Sequence, residues 1–238
     1  MSEINKNKID IAVAIGKSVI GAAPYVGPLV SEVISNLIPN QRIDRIAKFV
    51  EKLDSKVSKL EQGKISSHFQ NQKFIDLLED GFRQASRALS EERINYLASL
   101  IKNSLSEDEI NHTEAKRLIG ILGELIDIEI IILRSHLHHH EEDPEFFERH
   151  ESVLTPPSAH LGSSESEVDK DTIFKSHRQN LVRLGLLKPR FKKVKKGSLP
   201  VFDEKTGMMK ASGHSITRLG RMLLKYIDQT EPLTSEKE

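Results

Sequence analysis

The sequence predicts a mostly α (α+β) fold: an N-terminal helical bundle or hairpin followed by a C-terminal winged-helix-like domain. Three observations carry this expectation. Apolar residues recur at helical spacing through most of residues 1–135. Further on, a helix-like segment, Asn180-Leu181-Val182-Arg183-Leu184-Gly185-Leu186-Leu187, leads into a hairpin-like segment and then into Ser215-Ile216-Thr217-Arg218-Leu219-Gly220-Arg221-Met222-Leu223-Leu224. That order is a recognition-type helix, a two-stranded wing and a closing helix. The third observation is composition: 5% aromatic residues and no Trp leave Leu, Ile and Val to build the core. A chain of 238 residues accommodates one large domain or two small ones.

Residues 1–40 are expected to form an apolar helical hairpin. Between residues 11 and 38 the only charges are Lys17 and Glu32. Two helices, over 8–22 and 26–38, join at Ala23-Pro24-Tyr25-Val26-Gly27-Pro28, because the prolines break the helical hydrogen-bond ladder. Small residues fall in rows, Ala14, Ser18 and Ala22 beside Ala12 and Gly16, and such rows let helices approach closely in membranes. Residues 18–38 come close to the roughly 20 residues that cross a bilayer, while Glu32 and the prolines oppose insertion. Two readings stay open: a hairpin buried in the protein, or one that meets membrane lipid, conditionally, through Val19, Ile20, Tyr25, Val26, Leu29 and Val30.

Residues 41–135 are expected to be helical. Ile43, Ile46, Val50, Leu53, Val57 and Leu60 are spaced as an a/d heptad seam. The seam fits either an intramolecular helix pair or a homo-oligomer formed through residues 43–60. A helix over 71–88 turns Phe74, Leu77, Leu78, Gly81, Phe82 and Ala85 inward. Ser90 caps the next, over 91–104, with Ile94, Leu97, Leu100 and Ile101 inward. Ser106-Glu107-Asp108-Glu109 is a capping-box pattern opening a helix that carries Ala115, Leu118, Ile119, Leu122 and Leu125. After a break near 123–127, the run 126–133 is apolar apart from Asp127 and Glu129, as expected of the buried first helix of the C-terminal domain.

Residues 136–170 read as an acidic, His-rich connector, with a short helix around 144–151. Thr155-Pro156-Pro157 and Gly162-Ser163-Ser164-Glu165-Ser166-Glu167 read as flexible and solvated. In the winged-helix-like domain, residues 171–228, Asp171 or Thr172 caps a helix over 172–185. Its apolar face is Ile173, Phe174, His177, Leu181 and Leu184, and Gly185 stops it. Strands are expected at 190–195, 199–202 and 208–212 around a turn at 203–207. Ser215 or Thr217 then caps a last helix to about 227, and 229–238 is expected to be a flexible tail.

The formal net charge is zero but unevenly spread. Residues 175–196 hold nine bases and no acid, whereas 141–171 hold ten acids against Arg149 and Lys170. Lys175 and Arg178 fall on the outer face of the recognition-type helix; Arg190, Lys192, Lys193, Lys195 and Lys196 fall on the wing. Such clustering is the footprint of phosphate binding, in nucleic acid or in anionic lipid headgroups. The only metal candidates are His136, His138 and His140 beside Glu141, Glu142 and Asp143. Neighbours on one short segment do not readily converge on one ion, so a polar turn is the preferred reading. The absence of Cys excludes disulfides, thiol catalysis and thiolate metal sites. There is no Gly-rich phosphate loop, GxSxG elbow or HExxH pair. The expectation is a non-enzymatic protein with no catalytic residue and no cofactor. No secretory signal is recognised, and the expected location is cytoplasmic, with peripheral or conditional inner-membrane association.

Several segments carry a family resemblance. They are residues 91–105, then Gly123-Glu124-Leu125-Ile126-Asp127-Ile128-Glu129-Ile130-Ile131-Ile132-Leu133, then Asn180-Leu181-Val182-Arg183-Leu184-Gly185-Leu186, and Ile216-Thr217-Arg218-Leu219-Gly220-Arg221-Met222-Leu223-Leu224. Their order resembles the bacterial abortive-infection alpha (Abi-alpha) family, over roughly residues 75–228. Leu-x-x-Leu-Gly-Leu followed by Thr-x-x-Gly-x-x-Leu-Leu also occurs in winged-helix regulators of the MarR type. The chain departs from the family pattern in lacking a Pro before the Asp127 helix and in its acidic, His-rich connector. The resemblance implies bacteriophage defence by growth arrest or death of the infected cell. It implies no enzymatic mechanism and carries over no functional residue. An apolar hairpin, a heptad helix and a sensing-type domain in that order suit an effector that attacks a membrane.

Overall fold

A computed structural model describes residues 43–58, 71–105, 112–155, 159–160, 162–194, 197, 199–202, 207 and 209–232. The expected N-terminal hairpin, with Val19, Ile20, Tyr25, Val26, Leu29 and Val30, lies outside the described residues. So do Leu60, the capping sequence 106–109, Lys195 and Lys196. The described residues are mostly helical with one two-stranded antiparallel sheet, and they divide into two compact units. One unit contains the described residues up to Glu124 together with Tyr226–Asp228. The other contains 125–225 and the described residues from Gln229 onward. No helix among the described residues is long and apolar enough to cross a membrane.

The first unit is built from α1 (Ile43–Val57), α2 (Gln72–Ala85), α3 (Glu91–Leu105) and α4 (His112–Glu124). Helical periodicity accounts for its core. Phe74, Leu77, Leu78, Gly81, Phe82 and Ala85 are the buried residues of α2, as the spacing predicts. Ile94, Leu97, Leu100 and Ile101 are buried in α3, and Ala115, Leu118, Ile119 and Leu122 in α4. Each fully buried Leu, Ile or Phe contributes about 1.5–3 kcal/mol relative to exposure. Gly81 brings helices together: a Cβ there would collide with Ile101 Cδ1 and stand 3.2 Å from Phe49 Cζ. Phe49 meets Phe82 edge-on, with ring centroids 5.4 Å apart.

Of the two readings of the α1 heptad seam, the packing matches the intramolecular helix pair. Ile46, Val50, Leu53 and Val57 are all buried, and α1 packs against α2 and α3 of its own chain. These four residues belong to the intramolecular core of the unit.

Polar side chains finish this unit. Ser90 Oγ accepts from Arg93 N at 3.1 Å, the expected N-cap. Gln84 Nε2 donates to the Ile119 carbonyl (2.7 Å) and Arg93 Nη1 to that of Leu122 (2.8 Å). Leu122 lies in the last turn of α4, so Arg93 satisfies a carbonyl that has no partner within its helix. Where the chain returns at Tyr226–Asp228, Asn103 Nδ2 donates to Tyr226 O (2.9 Å) and to Asp228 Oδ1 (2.8 Å).

The second unit contains α5 (Asp127–Arg134), the short helices α6 (Pro144–Arg149) and α7 (Glu151–Leu154), α8 (Glu165–Arg183), strands β1 (Leu187–Arg190) and β2 (Gly213–Ile216), and α9 (Arg218–Tyr226). α5 packs against α7 and α8, and α8 against β1. Buried Ile130, Ile132 and Leu133 meet the expectation for α5, but Ile126 and Ile128 are exposed, so the apolar run is not buried all round.

Four expectations for this unit are corrected. First, α8 starts at Glu165, not near 172. Ser164 Oγ accepts from Glu167 N while the Glu167 carboxylate accepts from Ser164 N, a capping box within a stretch expected to be flexible. Second, Ile173 is exposed, because α8 buries only the end of its apolar row, Leu181 and then Leu184 beyond the last turn. Third, the paired strands are 187–190 and 213–216, meeting the expected positions only at Arg190. Among the described residues the inner stretches form no strand; the Phe202–Met209 bridge and two backbone hydrogen bonds join them. Fourth, the start of the expected flexible tail is held: Arg134 Nη1 donates to Gln229 Oε1 and Nη2 to Glu231 O.

Arg134 is the buried polar centre of this unit. Its Nη2 also donates to Asp143 Oδ2 at 3.0 Å, and the guanidinium lies 4.5 Å from the Phe146 ring centroid. Both charged groups are enclosed, Arg134 at 7% exposure and Asp143 at 1%. Paired in this way, neither charge is left uncompensated in the interior.

Candidate functional site

The junctions that position the hairpin are set by residue type. α8 ends in a full left-handed cap: Gly185 has φ +73°, Gly185 N donates to Val182 O (3.0 Å) and Leu186 N to Leu181 O (2.9 Å). Leu181 and Leu186 are both fully buried, completing the motif's apolar contact. Thr217 closes the other end. Its Oγ1 donates to the Gly185 carbonyl (2.7 Å) and accepts from Gly220 N (3.0 Å), so Thr217 is the N-cap of α9. Gly220 sits where a Cβ would stand 2.5 Å from Leu186 O and 2.8 Å from Ile216 Cγ1. The Leu-Gly-Leu and Thr-x-x-Gly patterns therefore form one interlocked joint that fixes where the hairpin leaves the body of the unit.

From that joint the register Leu187–Ile216, Lys188–Ser215, Pro189–His214 and Arg190–Gly213 sends alternate side chains to opposite faces. Leu187 and Ile216 are buried; Lys188 and Arg190 are exposed. The ribbon continues with Ser212 N donating to Arg190 O and Lys210 N to Val201 O, both at 2.8 Å.

The outer hairpin carries an unusual surface. Phe191 (46%), Val194, Leu199 (88%), Val201 (67%), Phe202 (53%) and Met209 are exposed large apolar residues. Val194, Leu199, Val201 and Met209 line an open groove of about 550 Å³, together with Lys192, Lys193 and Lys210. Exposed apolar area concentrated in this way marks an interaction surface, and here it is rimmed by ammonium groups.

The expected phosphate-binding residues divide. Arg190, Lys192 and Lys193 lie together on the hairpin. Lys175 and Arg178 are on α8, where Lys175 pairs with Asp171 and Arg178 lies 5.4 Å from the Phe174 ring centroid. The structure does not make α8 a basic face. Glu165, Glu167 and Asp169 are exposed on its N-terminal half.

The histidines expected as a weak metal set go separate ways. His138 Nε2 donates to Thr230 O (2.7 Å), while His140 stacks on Phe147 with centroids 5.0 Å apart. His136 is half-buried, and burial, followed by the charges of His214, Arg178 and Arg190, lowers its pKa to about 4. Among the described residues no three potential metal ligands come together.

Two groups escaped the sequence reading. Glu129 is buried; its Oε2 accepts from Ile126 N (3.0 Å) and its Oε1 from Asn180 Nδ2 (3.0 Å), with His177 Nδ1 at 3.3 Å. It caps its own helix and holds α8 to α5. The only signal for it was an acid inside an apolar run. His214 is the second: burial, then Arg178 and Arg190, lowers its pKa, and nothing in the local sequence set it apart. No family model, no curated protein and no solved structure matches the chain.

Proposed function

We propose that the chain is a non-enzymatic phage-defence effector of the abortive-infection type that acts at the membrane. Its helix–hairpin–helix unit is read as a winged-helix-like module whose wing docks on an anionic lipid surface. The observation that supports this reading is the hairpin itself: six large exposed apolar side chains beside Lys192, Lys193 and Lys210. Apolar side chains enter the boundary between headgroups and acyl chains, and the ammonium groups gain from the negative surface potential, about 1 kcal/mol each. The apolar stretch 11–38 is the proposed element that does damage once the protein is seated. Expression in a phage-sensitive host tests this. The full chain should lower phage plating and arrest infected cells, and loss of residues 1–38 should abolish both. Defence that survives that deletion sinks the membrane reading.

A second reading is a nucleic-acid binder. It is favoured by Lys188, Arg190, Lys192, Lys193 and Lys210, exposed along the hairpin with no carboxylate among its described residues. It ranks second because the acids of α8 would face the phosphate backbone if that helix entered a groove. Strongly salt-dependent DNA binding, lost on neutralising these bases, would promote it.

A further inference from the structure

We propose that the groove on the outer hairpin receives the N-terminal half of α8 from a second copy of this chain, so that two copies cover each other's exposed apolar residues. Self-association of this kind does not depend on the membrane reading; it covers the same side chains when no lipid is present.

The groove has an apolar lining of Val194, Leu199, Val201 and Met209, with Lys192, Lys193 and Lys210 beside them. No carboxylate lies among the described residues of the hairpin, and none of the three lysines is in an ion pair there. The groove therefore asks for an occupant that is apolar in the middle and acidic at its edges.

α8 presents such a face. Glu165, Val168, Asp169, Thr172 and Ile173 recur at i, i+3, i+4, i+7 and i+8, which places them on one stripe of the helix. All five are exposed. Neither Glu165 nor Asp169 is in an ion pair among the described residues. The face that α8 turns to its own unit lies on the opposite side, through Phe174, His177 and Leu181, with His177 against Glu129 and Leu181 fully buried. Most helical stability comes from packing of an amphipathic face, yet residues 165–170 are all exposed.

An amphipathic helix laid into an apolar groove is a recurring mode of recognition. Here Val168 and Ile173 enter the groove while Glu165 and Asp169 meet the lysines. Complementary charge of this kind selects the partner and fixes the register. Within one chain the two surfaces do not cover each other, since Leu199 is 88% exposed and Ile173 57%. A second copy supplies both, and reciprocal docking closes a dimer in which each groove and each α8 stripe is occupied.

Sedimentation velocity of the full chain over a concentration series, in low and high salt, tests the contact. The expected result is a reversible dimer that weakens as salt is raised. Glu165→Lys combined with Asp169→Lys should leave a monomer. So should Lys192→Glu combined with Lys193→Glu and Lys210→Glu, because each variant sets like charges against each other. Mixed in equal amounts, the two variants should recover a dimer, since each then meets the opposite charge on both of its surfaces. That recovery also shows that neither has failed to fold. A parent chain that stays monomeric throughout overturns the proposal. Association that survives either charge reversal overturns it too, as does a mixture that remains monomeric. Glu165→Gln combined with Asp169→Asn leaves the hairpin unaltered, so it should lose the dimer and still float with anionic vesicles. Flotation of a parent chain that never dimerises would leave the hairpin to lipid alone and overturn the second copy as its occupant.

Discussion

Gly220 lies against Leu186 so closely that a Cβ on it would stand 2.5 Å from the Leu186 carbonyl oxygen. The contact is to backbone, which cannot rotate away as a side chain can. It joins the start of α9 to the end of α8 and sets the root of the hairpin. Gly220→Ala should therefore overpack the joint and destabilise the protein by about 1–3 kcal/mol. Gly185→Ala meets only Leu219 Cδ2, at 3.9 Å, and strains only the left-handed backbone, costing about 1–2 kcal/mol. Urea unfolding measures both. A Gly220→Ala variant as stable as the parent would contradict the joint.

The same joint depends on the Thr217 hydroxyl, which donates to Gly185 O and accepts from Gly220 N. Thr217→Ala should cost about 0.5–2 kcal/mol, whereas Thr217→Ser should restore most of it, because the serine hydroxyl makes the same two bonds. Equal loss in both variants would mean that the methyl group, not the cap, is what matters.

Arg134 and Asp143 form the buried pair of the second unit. Asp143→Asn keeps an oxygen for the α6 N-cap but leaves the guanidinium uncompensated, and should cost about 3–5 kcal/mol. Arg134→Met strands the carboxylate and should cost a similar amount. The double variant should lose clearly less than the sum of the two, and thermal unfolding of all four proteins closes the cycle.

His136 gives the stability a defined pH dependence. Burial, His214, Arg178 and Arg190 lower its pKa from the ordinary 6.5 to about 4. The unfolded chain therefore takes up a proton at this residue before the folded chain does. The contribution is fully present above pH 6.5 and is lost as the pH falls toward 4. Stability followed from pH 7.5 to 5, above the carboxylate range, should fall less steeply in His136→Gln. Parallel curves would contradict the assignment.

The first unit was legible because its cores are single-sided. The inward rows of α2 and α3 follow from a 3.6-residue period, and Ser90 announces the cap of α3. The role of the α1 seam was not legible: an a/d row looks the same whether it meets a partner chain or α2 and α3 of its own. The start of α8 was missed because Gly162 and the serines beside it suggested a loop, although Ser164 and Glu167 already carried the capping box. The strands were displaced because alternation alone does not say where a ribbon is paired; the joint at Gly185, Thr217 and Gly220 decides that. Of the candidate site, the basic residues were visible as a run. The half-burial of His136 was not, since it arises only when the unit folds.

Flotation of the full chain with vesicles tests the central claim most directly. The chain should rise with vesicles rich in phosphatidylglycerol and stay behind with neutral phosphatidylcholine. A variant combining Leu199→Ser, Val201→Ser and Phe202→Ser, all at exposed positions, should keep its helical content and lose flotation. A parent chain that ignores anionic vesicles, or a triple variant that floats equally well, would contradict the assignment of the hairpin as the membrane-docking element.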